Sequence, residues 1–309
     1  MRIIDIESIL GNMKDETAFI LKCEEVFHDK ISGAAVKILA HRAEKPILCL
    51  SGPSGSGKTT TAMRLRDYLE NLGVKVCMLS MDNFFIPEKK RPPEATDWES
   101  PFCVDFERLM NAATSLADGK ETELPLYDFK TNDIGGSFKM QGDKDAVILI
   151  EGIHMLNPMI FDRFKGRAQG IYVAPRTRIV TPQDRVLRPE QIRIVRRMVR
   201  DYEGRGRSFK DTVLKAESVD AGEMQYITPY KDNASIHIDT FHDYEPCILA
   251  QYFREVTKDA VEELTPEFIK QYKLTELYKV FPVLPDINTT YIPKDSIVRE
   301  FIGGSIYEY

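Results

Sequence analysis

Early in the chain, Gly52-Pro53-Ser54-Gly55-Ser56-Gly57-Lys58-Thr59 fits the pattern G-x-x-x-x-G-K-[ST]. An apolar run of strand length, Pro46 to Leu50, precedes it. Ala62, Leu65, Leu69 and Leu72 follow at steps of three and four, one apolar helical stripe that Gly73 is placed to stop. Strand, glycine loop and helix in this order confine the chain to an α/β fold of the P-loop NTPase type. Glycines let backbone N–H groups turn inward around a polyphosphate with no side chain in the way. The helix N-terminus adds partial positive charge. Lys58 is placed to reach the β- and γ-phosphates and the Thr59 hydroxyl to bind Mg²⁺. The loop predicts nucleoside triphosphate binding; the fate of the γ-phosphate has to be read elsewhere.

Two acids follow strands. Val74 to Met81 reads as a second strand that ends at Asp82. Ala146 to Ile150 reads as a strand covered on both faces that ends at Glu151-Gly152. Ligands of open α/β sheets sit at the carboxyl ends of strands, so both acids stand where chemistry occurs. Glu151 has the position of a residue that holds Mg²⁺ or orients the nucleophile. Gly170 to Ala174 and Ala234 to Asp239 complete a mostly parallel sheet with helices on both faces. After Asp82 and before Ala146, residues 86–103 form a polar, proline-containing loop with Trp98, the one tryptophan of the chain. A helix is expected from Asp105 to about Leu116, then Leu124-Pro125-Leu126-Tyr127-Asp128-Phe129 and a turn at Gly135-Gly136.

The densest charge lies between Arg185 and Arg207, which span eight arginines. Arg193, Arg197 and Arg200 share one helical face, and Arg205 and Arg207 flank Gly206. Like charges stacked this way are unfavourable until an anion arrives, and guanidinium forks clamp phosphoryl oxygens. The segment from about 185 to 208 therefore reads as a lid over the nucleotide. A solvated face paired to its own acids and a nucleic-acid patch are the competing readings. The net charge of −6, from 42 basic and 48 acidic residues, argues against general nucleic-acid binding.

Five cysteines without a C-x-x-C pair read as reduced thiols of a cytoplasmic protein. Acids at Asp5 and Glu7 come too early for a signal peptide, and no apolar run reaches membrane-spanning length, so no membrane partner is expected. Residues 1–45 are expected to add an N-terminal helical extension, from about Thr17 to His41, to a P-loop kinase domain over 46–243. Residues 244–309 are expected to add a C-terminal one, with Leu249, Phe253, Val256 and Ala260 at helical spacing. A second helix is expected there from Thr265-Pro266 to about Val280. The extensions offer contact area for a homo-oligomer. The tail around Arg299-Glu300-Phe301-Ile302-Gly303-Gly304 has turn chemistry and no derivable role.

A P-loop, two strand-end carboxylates and an arginine lid suit a kinase, which needs a base near an acceptor hydroxyl. Phe84 and Phe85 beside Asp82, with Tyr127 and Phe129, would suit a ring-bearing, hydroxylated acceptor, and would serve a core equally well. These motifs resemble the uridine kinase and phosphoribulokinase family of P-loop kinases. The matching stretches are Gly52 to Thr60, Asp82-Asn83-Phe84-Phe85, Pro125-Leu126-Tyr127-Asp128-Phe129, Ile148-Leu149-Ile150-Glu151-Gly152, and Arg196 to Asp201 followed by Arg205-Gly206-Arg207. With its tail, the chain looks closest to the kinase part of longer bacterial uridine-kinase-like proteins.

The resemblance implies ATP as donor, with GTP as the alternative, and Mg²⁺ held by Thr59 and Glu151. It implies Asp82 as base for the 5′-hydroxyl of a nucleoside, and Arg197, Arg200, Arg205 and Arg207 on phosphates, with Lys58 and Thr60 in the nucleotide loop. Tyr127 and Phe129 would flank the base. Three positions depart from the family pattern. Asp97-Trp98-Glu99-Ser100-Pro101 stands for N-F-D-H-P, so Glu99 falls at the ribose-gripping Asp. Asn132 falls at the base-reading His, and Phe85 replaces Tyr. The expected function is phosphorylation of a small molecule, a uridine- or cytidine-like nucleoside. A phosphorylated sugar or a pantothenate-like acceptor is the first alternative. A nucleotide-binding regulatory or RNA-associated ATPase is the second.

Overall fold

The computed structural model describes residues 2–308 except Thr96, Asp184, Asp259 and 261–263, and of Arg205 the backbone alone. Among the described residues the strands are β1 (Arg2–Asp5), β2 (Ile47–Ser51), β3 (Val76–Ser80), β4 (Glu121–Asp128), β5 (Asp133–Gln141), β6 (Val147–Glu151), β7 (Ala168–Ala174), β8 (Thr177–Val180), β9 (Val186–Leu187) and β10 (Ile236–Asp239). The α-helices are α1 (Ile6–Asn12), α2 (Glu16–His41), α3 (Lys58–Asn71), α4 (Phe106–Ala117), α5 (Pro158–Phe161), α6 (Pro189–Arg205), α7 (Phe209–Tyr226), α8 (Glu245–Lys258), α9 (Pro266–Gln271), α10 (Thr275–Val280) and α11 (Arg299–Ile302).

The apolar runs build one parallel sheet in the order β10-β7-β2-β6-β3. Because side chains alternate across a strand, each run feeds two cores. Ile47 and Cys49 of β2, with Ile148 and Ile150 of β6, pack under α4. Leu48, Leu50, Val147 and Leu149 pack under α2 and α3. Helices thus cover both faces, and the first residues after β2, β3 and β6 emerge at one rim. Against the expected boundaries, these strands shift by no more than two residues.

The helix expected from about Thr17 to His41 is α2 (Glu16–His41); ahead of it the chain adds β1, which pairs in parallel with β8 in a small sheet with β9. The chain differs from its sequence reading in two places. Gly135-Gly136 is not a turn but part of β5; the hairpin with β4 turns at 129–132, where Asn132 takes the left-handed conformation (φ 55°). The helix expected from Thr265 to Val280 is two helices, broken where Lys273 takes φ 57° and Leu274 drops into the core. That third core gathers α1, α6, α7 and the helices after residue 244. No helix among the described residues is long and apolar enough to cross a membrane.

Candidate active site

The phosphate loop leaves β2 with Gly52 against the Val173 carbonyl. Gly57 caps α3 in the left-handed region (φ 84°), and a Cβ there would meet Ile297 at 2.9 Å. Both constraints select glycine. The loop's carbonyls are turned outward and held by the surrounding protein. Arg193 Nη1 donates to the Ser54 carbonyl (3.1 Å), Arg196 Nη1 to that of Gly55 (3.2 Å), and the Thr240 hydroxyl to that of Ser56 (2.7 Å). Lys58 Nζ bridges the loop to the Pro53 carbonyl at 3.1 Å. The Ser54 N–H donates to Glu223 of α7 at 2.9 Å. Thr60, the third residue of α3, donates its N–H and hydroxyl to Glu300 at 3.3 and 2.7 Å.

The two strand-end acids meet through sheet register. Ser80 lies opposite Glu151 across the β3–β6 pair, and its hydroxyl donates to Glu151 Oε1 at 2.6 Å. Asp82 stands two residues further, in an exposed turn whose N–H donates to the same Ser80 hydroxyl (3.4 Å). Burial pushes the Glu151 carboxyl up to about 7; the charges of Asp82 and Glu300 add to the rise, and Ser80 and Lys58 oppose it. Among the described residues no group of three His, Cys, Asp or Glu could hold a metal alone. Mg²⁺ takes one or two carboxylates and completes its shell with substrate phosphates and water. The Thr59 hydroxyl and Glu151 are hard oxygen donors of that class.

Helix α6 runs along the loop, and the described arginine side chains on it and just after it face acids of the protein. Arg196 is fully buried. It forks onto Glu245 of α8 (Nε 2.5 Å, Nη2 2.8 Å) and stacks 4.9 Å from the Phe301 ring. Arg193 pairs with Glu223 at 2.6 Å. Arg200 lies 3.8 Å from Glu300, and Arg207 lies 3.7 Å from Asp201. Arg197 is buried and faces Glu99, Glu223 and Asp201 electrostatically; burial lowers its pKa against their pull. The anions that the arginine cluster called for therefore come largely from α7, α8 and α11. The Arg205 side chain lies outside the described residues.

On the other side of Asp82, Phe85, Trp98, Tyr127 and Phe129 form one aromatic group with centroids 4.9–5.9 Å apart. The Arg91 guanidinium sits 3.8 Å over Trp98 and donates to the Tyr127 hydroxyl at 3.0 Å. Trp98 and Phe129 keep 41% and 51% of their surface exposed, so the group opens outward. Phe84 is not in ring contact with it; it is buried in the core beneath α4, which Phe85 and Tyr127 also join. Asn132 is not brought in either: its amide donates to Glu88 at 2.9 Å on the exposed hairpin turn. Glu99 is brought in. α7 approaches so closely that a Cβ at Gly222 would fall 2.4 Å from Glu99 Cβ. Burial pushes Glu99 up to about 7; Glu223 adds to this, and Arg197 and Lys58 oppose it.

Several residues of this rim escaped sequence reasoning. Glu223, Glu245 and Glu300 carry no local signal, since each is ordinary in its own helix. His154 had one, standing three residues after Glu151. Its ring is fully buried beside Tyr226 (6.3 Å); neither nitrogen makes a hydrogen bond of good geometry, although the Glu99 backbone lies close enough to pull its pKa upward, and Glu99 Oε2 has no partner. Burial pushes His154 down to about 3, so it is a neutral imidazole at any ordinary pH.

Comparison with known proteins adds the following. The model of the Phosphoribulokinase / Uridine kinase family matches residues 47–166. A uridine kinase of Ligilactobacillus salivarius (strain UCC118) is 31% identical over 204 residues, 64% of this chain and 87% of the relative. A uridine kinase of Brevibacillus brevis is 32% identical over 199 residues, 62% of this chain and 84% of the relative. A solved structure described as a possible uridine kinase from Bacillus stearothermophilus aligns at 27% identity with a TM-score of 0.40, over 47% of this chain and 79% of that one.

Proposed function

The chain belongs to the phosphoribulokinase/uridine kinase family of P-loop kinases, and from that premise we propose that it transfers the γ-phosphoryl group of ATP to the 5′-hydroxyl of a nucleoside, uridine or cytidine. The observation that carries this reading is the pairing of a buried Glu151 with the exposed Asp82 at one sheet rim, within electrostatic reach of Lys58. Asp82 is exposed at the surface of the rim, and Glu151 is buried and held by Ser80.

The acceptor oxygen forms its bond to the γ-phosphorus as the bond from that phosphorus to the leaving ADP oxygen breaks, and Asp82 takes the hydroxyl proton on a carboxylate oxygen. Lys58 exchanges the Pro53 carbonyl for phosphate oxygens. Arg197, Arg200, Arg205 and Arg207 neutralise charge that gathers on the transferring group. Mg²⁺, when bound, supplies further neutralisation of the phosphate oxygens, and Thr59 and Glu151 are the residues that would hold it. Glu99 accepts hydroxyl hydrogens from the sugar. Phe85, Trp98, Tyr127 and Phe129 offer ring faces to the base. Asp82 and Glu99 are the acids on the acceptor side, and like charge disfavours a phosphorylated sugar there.

The test is ADP release from ATP and Mg²⁺ across a panel of acceptors, with the product identified by phosphorus NMR. Release that depends on uridine or cytidine and yields the 5′-monophosphate is expected. Release that needs no acceptor, or that responds only to a sugar phosphate, would sink the proposal.

A further inference from the structure

The C-terminal segment, which the sequence left without a role, is built into the phosphate loop. Three contacts anchor it. Ile297 lies against Gly57, the Phe301 ring lies under Arg196, and the Ser296 hydroxyl donates to the buried Glu24 of α2 at 2.6 Å. On this frame Glu300 is nearly buried, with 6% of its side chain exposed. It accepts from the Thr60 hydroxyl at 2.7 Å and from the Thr60 N–H at 3.3 Å, and Arg200 of α6 lies 3.8 Å away.

Thr60 is in the first turn of α3, where N–H groups have no partner inside the helix and anions are favoured. A polyphosphate gripped by the Gly52–Thr59 loop needs that same turn. Glu300 is therefore an anion already seated in an anion site, and its charge opposes the one that must enter. We propose that Glu300 sets the affinity of the nucleotide site as an intramolecular competitor: it yields Thr60, and with it Arg200, when a phosphate takes the first turn of α3. Glutamine at this position would keep the shape and an acceptor oxygen for Thr60 but remove the competing charge. The inference concerns nucleotide entry and does not depend on which acceptor the kinase uses.

The experiment is calorimetric titration of the full chain with Mg²⁺ and a non-hydrolysable ATP analogue, unaltered and as Glu300→Gln. Amide hydrogen exchange of residues 297–302 is followed with and without the analogue. The variant is expected to bind roughly tenfold tighter, and exchange at 297–302 in the unaltered chain should speed up on binding, against the usual protection. Equal or weaker binding by the variant, or unchanged or slower exchange, overturns the inference. Should Glu300→Gln fail to fold, the exchange of the unaltered chain decides alone. An unaltered chain that does not bind the analogue overturns the triphosphate reading itself, and this inference with it.

Discussion

The two halves of the rim solve opposite problems. On the nucleotide side, buried charges are already paired. Arg193 has Glu223, Arg196 has Glu245, and Thr60 has Glu300. On the acceptor side, Glu99 keeps one carboxylate oxygen, and His154 both ring nitrogens, without a well-formed hydrogen bond; on the nucleotide side the Ser56 hydroxyl, which is uncharged, is in the same position. A paired buried charge is rigid and costly to disturb, because losing one partner strands the other. An orphaned buried polar atom is costly until something else satisfies it. The first half is a preformed frame, and in the second buried polar atoms stand without a well-formed hydrogen bond in the protein. The predictions below attack that contrast.

The largest effect should fall between the halves. Asp82→Asn keeps the shape of the turn and removes the carboxylate proposed as the base. Turnover with any acceptor should fall by about 10³-fold, while the calorimetric affinity for Mg²⁺ and an ATP analogue stays the same. Loss of both together would place Asp82 in the nucleotide half and erase the division. Next comes the frame itself. Arg196→Met strands Glu245 and frees the Gly55 carbonyl, so denaturant unfolding should show a loss of about 3–5 kcal/mol. A change of a few tenths would mean that the pairing on the nucleotide side is ornamental.

The frame extends to both ends of the chain, and there it responds to pH. Burial alone would raise the Glu24 carboxyl. The His242 ring (Nε2 at 3.5 Å), Ser296 (2.6 Å) and Tyr244 (2.7 Å) outweigh it and hold Glu24 down to about 2. A depressed folded pKa means that ionised Glu24 contributes its stability in full above its unfolded value near 4.5, and that this is lost as pH falls toward 2. Glu24→Gln should thus be less stable than the unaltered chain by about 3 kcal/mol at pH 6, with the gap closing between pH 4.5 and 2. Unfolding curves across that range check it; a gap independent of pH contradicts it.

The same contrast governs what the sequence could tell. The loop from Gly52 to Thr59 is legible because its chemistry is local: strand, glycines, lysine and helix follow one another in the chain. Asp82 and Glu151 are legible because each follows an apolar strand, and sheet register brings Ser80 opposite Glu151. The partners of the arginines are not legible. Thr60 and Glu300 are 240 residues apart, and Ser54 and Glu223 are 169 apart; nothing in either segment encodes the meeting, which tertiary packing decides. Asn132 misled for a different reason. Its place in the motif suggested a substrate contact, whereas its left-handed backbone makes the hairpin turn and its amide goes to Glu88. Gly135-Gly136 misled in the same way, since that turn falls three residues earlier and the pair lies in β5.

The smallest effect is the sharpest test of the acceptor half. His154 pays for burial with two nitrogens that lack a well-formed hydrogen bond, a stability cost of roughly 1–3 kcal/mol for each orphaned atom. A leucine there would be of similar bulk and would remove both. If this buried ring, which lies beside the Glu99 backbone, positions Glu99 for an acceptor, His154→Leu should melt no lower than the unaltered chain, and even higher, while KM for the acceptor rises about tenfold and the affinity for Mg²⁺ and an ATP analogue is unmoved. Stability and acceptor recognition would then move in opposite directions. A histidine kept only for packing would move them together, or leave KM where it was. In either of those cases the orphaned atoms say nothing about the acceptor, and the contrast between the two halves reduces to the pairing of the arginines alone.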